Sequence, residues 1–121
     1  MHARAANAYR KADLESAPKH VVLERLFARF GADIDAARAA LGRKDIHGKA
    51  QALDHAMRIV AELQASLDAA AAPELVANLM ALYDYVTDRL TQSNLTLATR
   101  PLDEAAAVMA QLGEAFRQVH K

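Results

Sequence analysis

Large apolar residues recur every three or four positions along most of the chain, the spacing that places side chains on one stripe of an α-helix. This pattern is absent from residues 1–17, whose large apolar side chains are Met1, Tyr9 and Leu14. Three such residues are too few to drive independent folding. The sequence therefore predicts a short N-terminal arm, partly disordered or forming a short helix, followed by a helical domain over residues 18–121.

The apolar pattern divides into four stripes separated by short breaks. In chain order their members are Leu23, Phe27, Phe30, Ile34, Ala37 and Leu41; Ile46, Ala50, Leu53, Met57 and Val60; Leu75, Leu79, Leu82, Val86 and Leu90; and Leu102, Ala105, Met109, Leu112, Phe116 and Val119. Four amphipathic helices joined by short loops bury their stripes together when they run up and down alternately. The sequence therefore predicts an all-α protein, an antiparallel up-down four-helix bundle. Its core should hold Phe27, Leu53, Leu82 and Leu112.

Residues with strong turn or capping preferences mark the helix ends. Gly42 can end the first helix, and Asp45 is the predicted N-cap of the second. Pro73 suits the first turn of the third helix, which should fade near Asn94. Residues 95–101 would then form the longest connection.

The charge balance narrows the class of partner. Fifteen basic and fifteen acidic residues cancel, so the field that draws nucleic acid or anionic lipid to basic proteins is missing. The cluster of Arg43, Lys44 and Lys49 is interpreted as a solvated loop. The absence of cysteine fits a reducing compartment, and the longest apolar run, residues 105–110, is too short to span a membrane. We expect a cytoplasmic protein that binds neither nucleic acid nor membrane.

The histidines are the only residues whose pattern suggests metal binding or phosphotransfer. The chain has no Glu-x-x-His pair of the kind that holds a di-iron centre in helix bundles, and His47 and His55 are too far apart for chelation on adjacent turns. We expect solvated histidines, no metal, no cofactor and no catalysis. A histidine phosphotransfer domain using His55 remains an alternative, although its His-x-x-Lys-Gly motif would have Arg58 and Ile59 at the last two positions. A generic helical adaptor for another protein is a further alternative.

Three ordered segments resemble those of the FliS family, the flagellin-specific export chaperones. Residues 77–86 read Ala-Asn-Leu-Met-Ala-Leu-Tyr-Asp-Tyr-Val and resemble the Leu-Tyr-Asp-Tyr box of that family. Residues 6–9 resemble its opening Ala-Tyr element, and residues 44–46 match its helix-starting Lys-Asp-Ile loop. The family usually carries Asp-Gly after a Leu-Tyr/Phe pair in the first long helix, where this chain has Ala28 and Arg29.

The resemblance implies a chaperone that binds the disordered C-terminal segment of flagellin, prevents premature polymerisation and keeps flagellin competent for export. A contact with the flagellar export apparatus is also implied. The candidate flagellin-binding residues are Tyr9, Leu14, Tyr83, Tyr85, Arg89, Leu95 and Leu97. Tyr85 lies off the core stripe, and Leu95 and Leu97 fall in the predicted loop. The sequence leaves open the flagellin isoform, the bundle face that binds and the oligomeric state, a homodimer included.

Overall fold

A computed structural model describes residues 18–119, and all regular secondary structure within this part is α-helical. The helices are α1 (Lys19–Gly42), α2 (Ile46–Ala65), α3 (Pro73–Thr96) and α4 (Arg100–Val119). The predicted arm, with its candidate residues Tyr9 and Leu14, lies outside the described residues.

The four helices pack in a ring. Helices α1 and α3 each pack against both α2 and α4. The start of α1 meets the end of α2, where Lys19 Nζ donates a 2.6 Å hydrogen bond to the Ser66 carbonyl oxygen. The end of α1 meets the start of α4, where Arg38 Nη2 lies 2.9 Å from Asp103 Oδ1. Neighbouring helices are therefore antiparallel, and the predicted up-down four-helix bundle is confirmed.

The two ends of the bundle differ in their connections. Residues 43–45 and 97–99 form short turns at one end, named here the two-turn end. Residues 66–72 form the single connection at the opposite, one-turn end, where α1 begins and α4 finishes. Residue 18, where the described chain begins, therefore lies at the one-turn end.

A side-chain cap fixes the start of α2, as the sequence predicted. Asp45 Oδ1 accepts a 2.9 Å hydrogen bond from the Gly48 backbone N–H, which satisfies one of the unpaired donors of the first turn. This hydrogen bond is the main reason that the pKa of Asp45 lies below its ordinary value. A Cβ atom at position 48 would overlap the Asp45 carboxylate, so glycine leaves room for the cap.

The prediction that residues 95–101 form the longest connection is wrong. Helix α3 continues past Leu95, and only three residues separate it from α4. The buried Ser93 donates a 2.8 Å hydrogen bond from Oγ to the carbonyl oxygen of Ala98, which holds the turn closed. The longest connection between the described helices is residues 66–72.

The core draws on all four helices. Its largest fully buried apolar side chains are Ile34, Leu53, Val60, Leu63, Val86, Leu90 and Leu102. Leu53 is buried as predicted. The predictions for Phe27, Leu112 and Leu82 are wrong, because Phe27 and Leu112 are only partly buried against the core and Leu82 is 40% exposed.

The error at Leu82 comes from the rotation of α3 about its axis. The residues that α3 buries are Tyr83, Val86, Leu90 and Ser93. Val86 and Leu90 belong to the predicted stripe as well, and that part of the prediction is confirmed. Leu82 and Tyr83 lie four and three positions before Val86, so the local pattern is compatible with either at the buried position. Packing against α2 and α4 selects the face that contains Tyr83 and turns Leu75 and Leu82 toward solvent.

Lys49 is buried, against the prediction of a solvated basic loop. Its exposed fraction is 2%, whereas Arg43 and Lys44 are exposed. Lys49 Nζ donates a 2.8 Å hydrogen bond to the Asn94 carbonyl oxygen. The last turn of a helix carries unpaired carbonyl groups and partial negative charge, so the ammonium group joins the start of α2 to the end of α3.

Candidate protein-binding surface

A partly exposed stripe runs along the side of α3 that borders α4. Its residues are spaced seven, three and four positions apart and therefore share one side of the helix. They are Leu75, Leu82, Tyr85 and Arg89, named here the α3 stripe. Leu75 is 58% exposed and Tyr85 is 39% exposed. Two leucines and a tyrosine in solvent on one helix side form the kind of apolar patch that commonly binds another protein.

Charged residues hold the Tyr85 ring at the border with α4. The Tyr85 hydroxyl donates a 3.4 Å hydrogen bond to Glu104 Oε2, and the guanidinium carbon of Arg89 lies 5.8 Å from the centre of the Tyr85 ring. Arg89 in turn lies 2.6 Å from Asp88 Oδ2 and 3.8 Å from Glu104 Oε1. The hydrogen bond to Asp88 is the main reason that the pKa of Arg89 is raised. The ring is thus oriented, and the residue still remains partly exposed.

A cleft of about 510 Å³ opens at the one-turn end of the bundle. This end cleft is lined mainly by apolar side chains, among them Leu23, Phe27, Leu79, Leu112, Phe116 and Val119. The rings of Phe27 and Phe116 pack with their centres 5.7 Å apart. The cleft explains why Phe27 and Leu112 are only partly buried, since they line an opening rather than the closed core. Leu75 belongs to both the end cleft and the α3 stripe, so the two surfaces are continuous.

The candidate residues of the sequence analysis fall in three places. Tyr83 is buried and lines the end cleft, and its burial raises the pKa of its hydroxyl. Tyr85 and Arg89 lie on the α3 stripe. Leu95 and Leu97 are exposed at the two-turn end, where Leu97 lines a groove with Leu41 and Ile46. The structure brings Tyr83 and Tyr85 close to one continuous surface and leaves Leu95 and Leu97 at the other end of α3.

Sequence reasoning missed two residues of this surface, Leu75 and Leu82. Both were assigned to the core because they fit the apolar spacing of α3. Their own spacing of seven, extended by three to Tyr85, is equally regular. The spacing of Leu75, Leu82 and Tyr85 was therefore the signal available in the sequence. Spacing alone did not show that Leu75 and Leu82 belong to this exposed pattern rather than to the core stripe.

The histidine with the most defined surroundings is His55. Its Nδ1 atom lies 2.5 Å from Asp33 Oδ2, and its side chain is 40% exposed. The prediction of solvated histidines is therefore only partly right, because this one is paired across α1 and α2. Within residues 18–119, no three His, Asp or Glu side chains come together as metal ligands. None of the helices in that part has a stretch both long and apolar enough to span a bilayer.

The geometry defines a helical bundle whose chemistry is that of a protein-binding surface: apolar side chains, an oriented aromatic ring and a polar border. A family model described as "Flagellar protein FliS" matches residues 1–121, and the chain belongs to the FliS family. This finding confirms the resemblance read from the sequence.

Relatives in several bacteria are flagellar secretion chaperones. The flagellar secretion chaperone FliS of Salmonella typhimurium (strain LT2) is 33% identical over 105 residues, which cover 86% of this chain and 78% of that protein. The FliS chaperone of Escherichia coli (strain K12) is 31% identical over 121 residues, covering 96% of this chain and 89% of that protein. The FliSB chaperone of Pseudomonas aeruginosa is 29% identical over 102 residues, covering 84% and 81% respectively.

Proposed function

We propose that this protein is a flagellar secretion chaperone that binds the C-terminal segment of flagellin in the cytosol, prevents its premature polymerisation and keeps it competent for export. Membership of the FliS family supports the role. The observation that carries the binding site is the exposed α3 stripe, which is continuous with the end cleft. Its apolar side chains would be covered in the complex.

The stripe suits a segment that becomes ordered as it binds. An amphipathic helix laid along α3 would bury Leu82 and the exposed part of Tyr85, and this burial would offset the entropy lost on ordering. Arg89 and Glu104 would form a polar border at one end of the contact. The apolar end cleft, next to Leu75, would take side chains from the adjoining part of the segment.

We further propose that the N-terminal arm competes for the end cleft. Helix α1 begins at Lys19, which itself lines the cleft. Tyr9 lies ten positions before Lys19 and Leu14 lies five positions before it, so both are within reach of the cleft at about 3.3 Å per extended residue. Either side chain would suit an apolar opening. Presentation of flagellin to the export apparatus is a further role that the family implies for this chain.

Isothermal titration calorimetry with monomeric flagellin tests the partner segment. Intact flagellin should bind with a negative heat-capacity change, because coupled folding buries apolar surface. Flagellin that lacks its last few tens of residues should not bind. Equal binding of the two forms would overturn the proposal.

Two matched variants of α3 test the surface. Leu82→Asp should weaken flagellin binding by more than about 1 kcal/mol, because it places a charge in the centre of the apolar contact. Met80→Asp is the control, since Met80 is 37% exposed and Leu82 is 40% exposed, but Met80 lies on the opposite flank of α3. Met80→Asp should change the binding free energy by less than about 0.5 kcal/mol. A larger loss of flagellin affinity for Met80→Asp than for Leu82→Asp would contradict the proposed surface, because it would place the contact on the Met80 flank of α3.

A further inference from the structure

A second groove lies on the face of the bundle opposite the α3 stripe. It is formed between α1 and α2, has a volume of about 380 Å³, and is named here the α1–α2 groove. Its apolar part consists of Val22, Leu26 and Ile59, of which Val22 is 40% exposed. Because α1 and α2 are neighbours in the ring and α3 and α4 complete it, a partner in this groove would leave the α3 stripe accessible.

The basic residues of the groove outnumber its acids. Three arginines, Arg25, Arg29 and Arg58, line it together with one carboxylate, Glu62. Arg58 is paired with Asp54 on its own helix. Arg25 and Arg29 are one helical turn apart and project into the same groove.

Within residues 18–119, Arg25 and Arg29 have no carboxylate partner, which they share with Arg100 at the start of α4. Of the eight arginines between residues 18 and 119, the five that pair with a carboxylate are Arg38, Arg43, Arg58, Arg89 and Arg117. Asp33 is one turn from Arg29 and could have been its partner, but its carboxylate is engaged by His55. Arg29 therefore keeps a guanidinium group whose donors match the geometry of a carboxylate.

We infer that the α1–α2 groove is a docking site for an acidic amphipathic helix of a second protein. Leucine-like side chains of that helix would cover Val22 and Leu26, and carboxylates one turn apart on its edge would pair with Arg25 and Arg29. Such an edge is complementary to the groove in both charge and spacing. The neutral overall charge of the chain provides no extended basic field for nucleic acid or an anionic bilayer. The inference does not depend on flagellin binding.

A designed peptide provides the probe. It is a helical peptide of about four turns with leucines on one stripe and glutamates one turn apart beside it; the control peptide carries glutamine in place of each glutamate. In methyl NMR spectra of the full chain, the glutamate peptide should shift the signals of Val22, Leu26 and Ile59, and the glutamine peptide should not. An absence of shifts at millimolar peptide, or equal shifts with both peptides, would overturn the inference.

Charge reversal supplies the matched variants. Arg25→Glu combined with Arg29→Glu should weaken binding of the glutamate peptide by about tenfold or more, because two favourable charge pairs become repulsive. Arg100→Glu is the control, since Arg100 is exposed, also has no carboxylate partner within residues 18–119, and lies at the start of α4. It should change the dissociation constant by less than about twofold. Circular dichroism would verify that each variant is folded, and equal weakening in both would overturn the inference.

Two further measurements distinguish an acidic helix in the α1–α2 groove from a peptide bound at the α3 stripe and from a membrane surface. Leu82→Asp, which disrupts the α3 stripe, should leave the affinity for the glutamate peptide unchanged. A loss of affinity in this variant would refute the inference, because it would place the peptide on the α3 stripe. Vesicles containing anionic lipid should not shift the methyl signals of the groove. Shifts with vesicles but not with the glutamate peptide would assign the groove to a membrane surface and refute the docking of an acidic helix.

Discussion

Single residues of the same type contribute very differently because of where their helix places them. Leu90 and Leu82 are both leucines on α3, yet Leu90 is fully buried and Leu82 is 40% exposed. Tyr83 and Tyr85 differ in the same way, one lining the end cleft and one lying on the α3 stripe. Stability and binding should therefore be separable by mutation along a single helix.

Replacement of the two leucines by alanine should show this separation. Leu90→Ala should lower the free energy of unfolding by about 2 to 5 kcal/mol, because it removes buried methyl groups and leaves a cavity. Leu82→Ala should lower it by less than about 1 kcal/mol. Urea denaturation followed by circular dichroism measures both values. Equal losses would mean that α3 is rotated differently from the arrangement described above.

The Asp45 cap should make stability depend on pH. Because the pKa of Asp45 is lower in the folded protein than its ordinary value near 3.8, its contribution is fully present above that ordinary value. The contribution is lost as the pH falls through the lower folded pKa. Asp45→Ala should therefore melt at a lower temperature than the unmodified protein at about pH 6, and the difference should shrink toward about pH 2.

The control for this experiment is Asp35→Ala, since Asp35 is 81% exposed and pairs only with Arg38 one turn away. It should show little change in melting temperature at either pH. A difference at Asp45 that stays constant across the pH range would contradict the charge-dependent cap.

At the scale of the elements, a few polar contacts between helix ends hold the bundle in register. Lys49 connects the start of α2 to the last turn of α3, and Ser93 closes the turn from α3 to α4. Both side chains are buried, and polar groups in such positions are costly unless they are hydrogen-bonded. These contacts fix the two-turn end, where Leu95 and Leu97 are exposed.

Lys49→Met should test the contact between α2 and α3. Methionine fills a similar volume but cannot donate, so the Asn94 carbonyl loses its partner, and we expect a loss of about 1 to 3 kcal/mol in the free energy of unfolding. Lys44→Met is the control, because Lys44 is exposed in the adjacent turn, and it should change stability by less than about 0.5 kcal/mol. Denaturant titration gives both values, and a neutral result at Lys49 would refute the role of its ammonium group.

At the scale of the whole molecule, the ring order of the helices separates two surfaces. The α3 stripe lies on the side where α3 meets α4, and the α1–α2 groove lies on the opposite side. The end cleft opens between the helices at the one-turn end. Under the two proposals, flagellin would bind at the α3 stripe while an acidic partner binds at the α1–α2 groove on the opposite side. Residue 18, where the described chain begins, lies at the one-turn end, which is why residues 1–17 are proposed to act on the flagellin side.

Deletion of residues 1–15 tests the proposed role of the arm. The bundle should remain folded, because its core comes from residues within 18–119, and flagellin should bind more tightly, because an internal competitor for the end cleft is removed. Tyr9→Ser in the full chain should produce part of the same change. Calorimetry measures the affinity and circular dichroism the fold. Unchanged affinity in both variants would disprove the competition.

The sequence by itself determined the helical class, the four helices within residues 18–119, the Asp45 cap and the end of α1 at Gly42. These features depend on local spacing and on backbone preferences that neighbouring residues fix. The residues of the Leu-Tyr-Asp-Tyr segment also indicated the family. Such information is contained within one helix or one turn.

Only the tertiary structure decided whether Leu82 or Tyr83 joins the buried side of α3. Val86 and Leu90 are buried as the predicted stripe requires, but Leu82 and Tyr83 both fit the spacing before Val86, and the choice between them depends on how α2 and α4 pack against the helix. The burial of Lys49 could not be predicted from local sequence either, because its hydrogen-bond partner Asn94 is 45 residues away along the chain. The end cleft and the α1–α2 groove each combine residues from helices that meet only when the bundle has formed. The exposure of the α3 stripe depends on the rotation that packing gives to α3, which the sequence pattern does not specify.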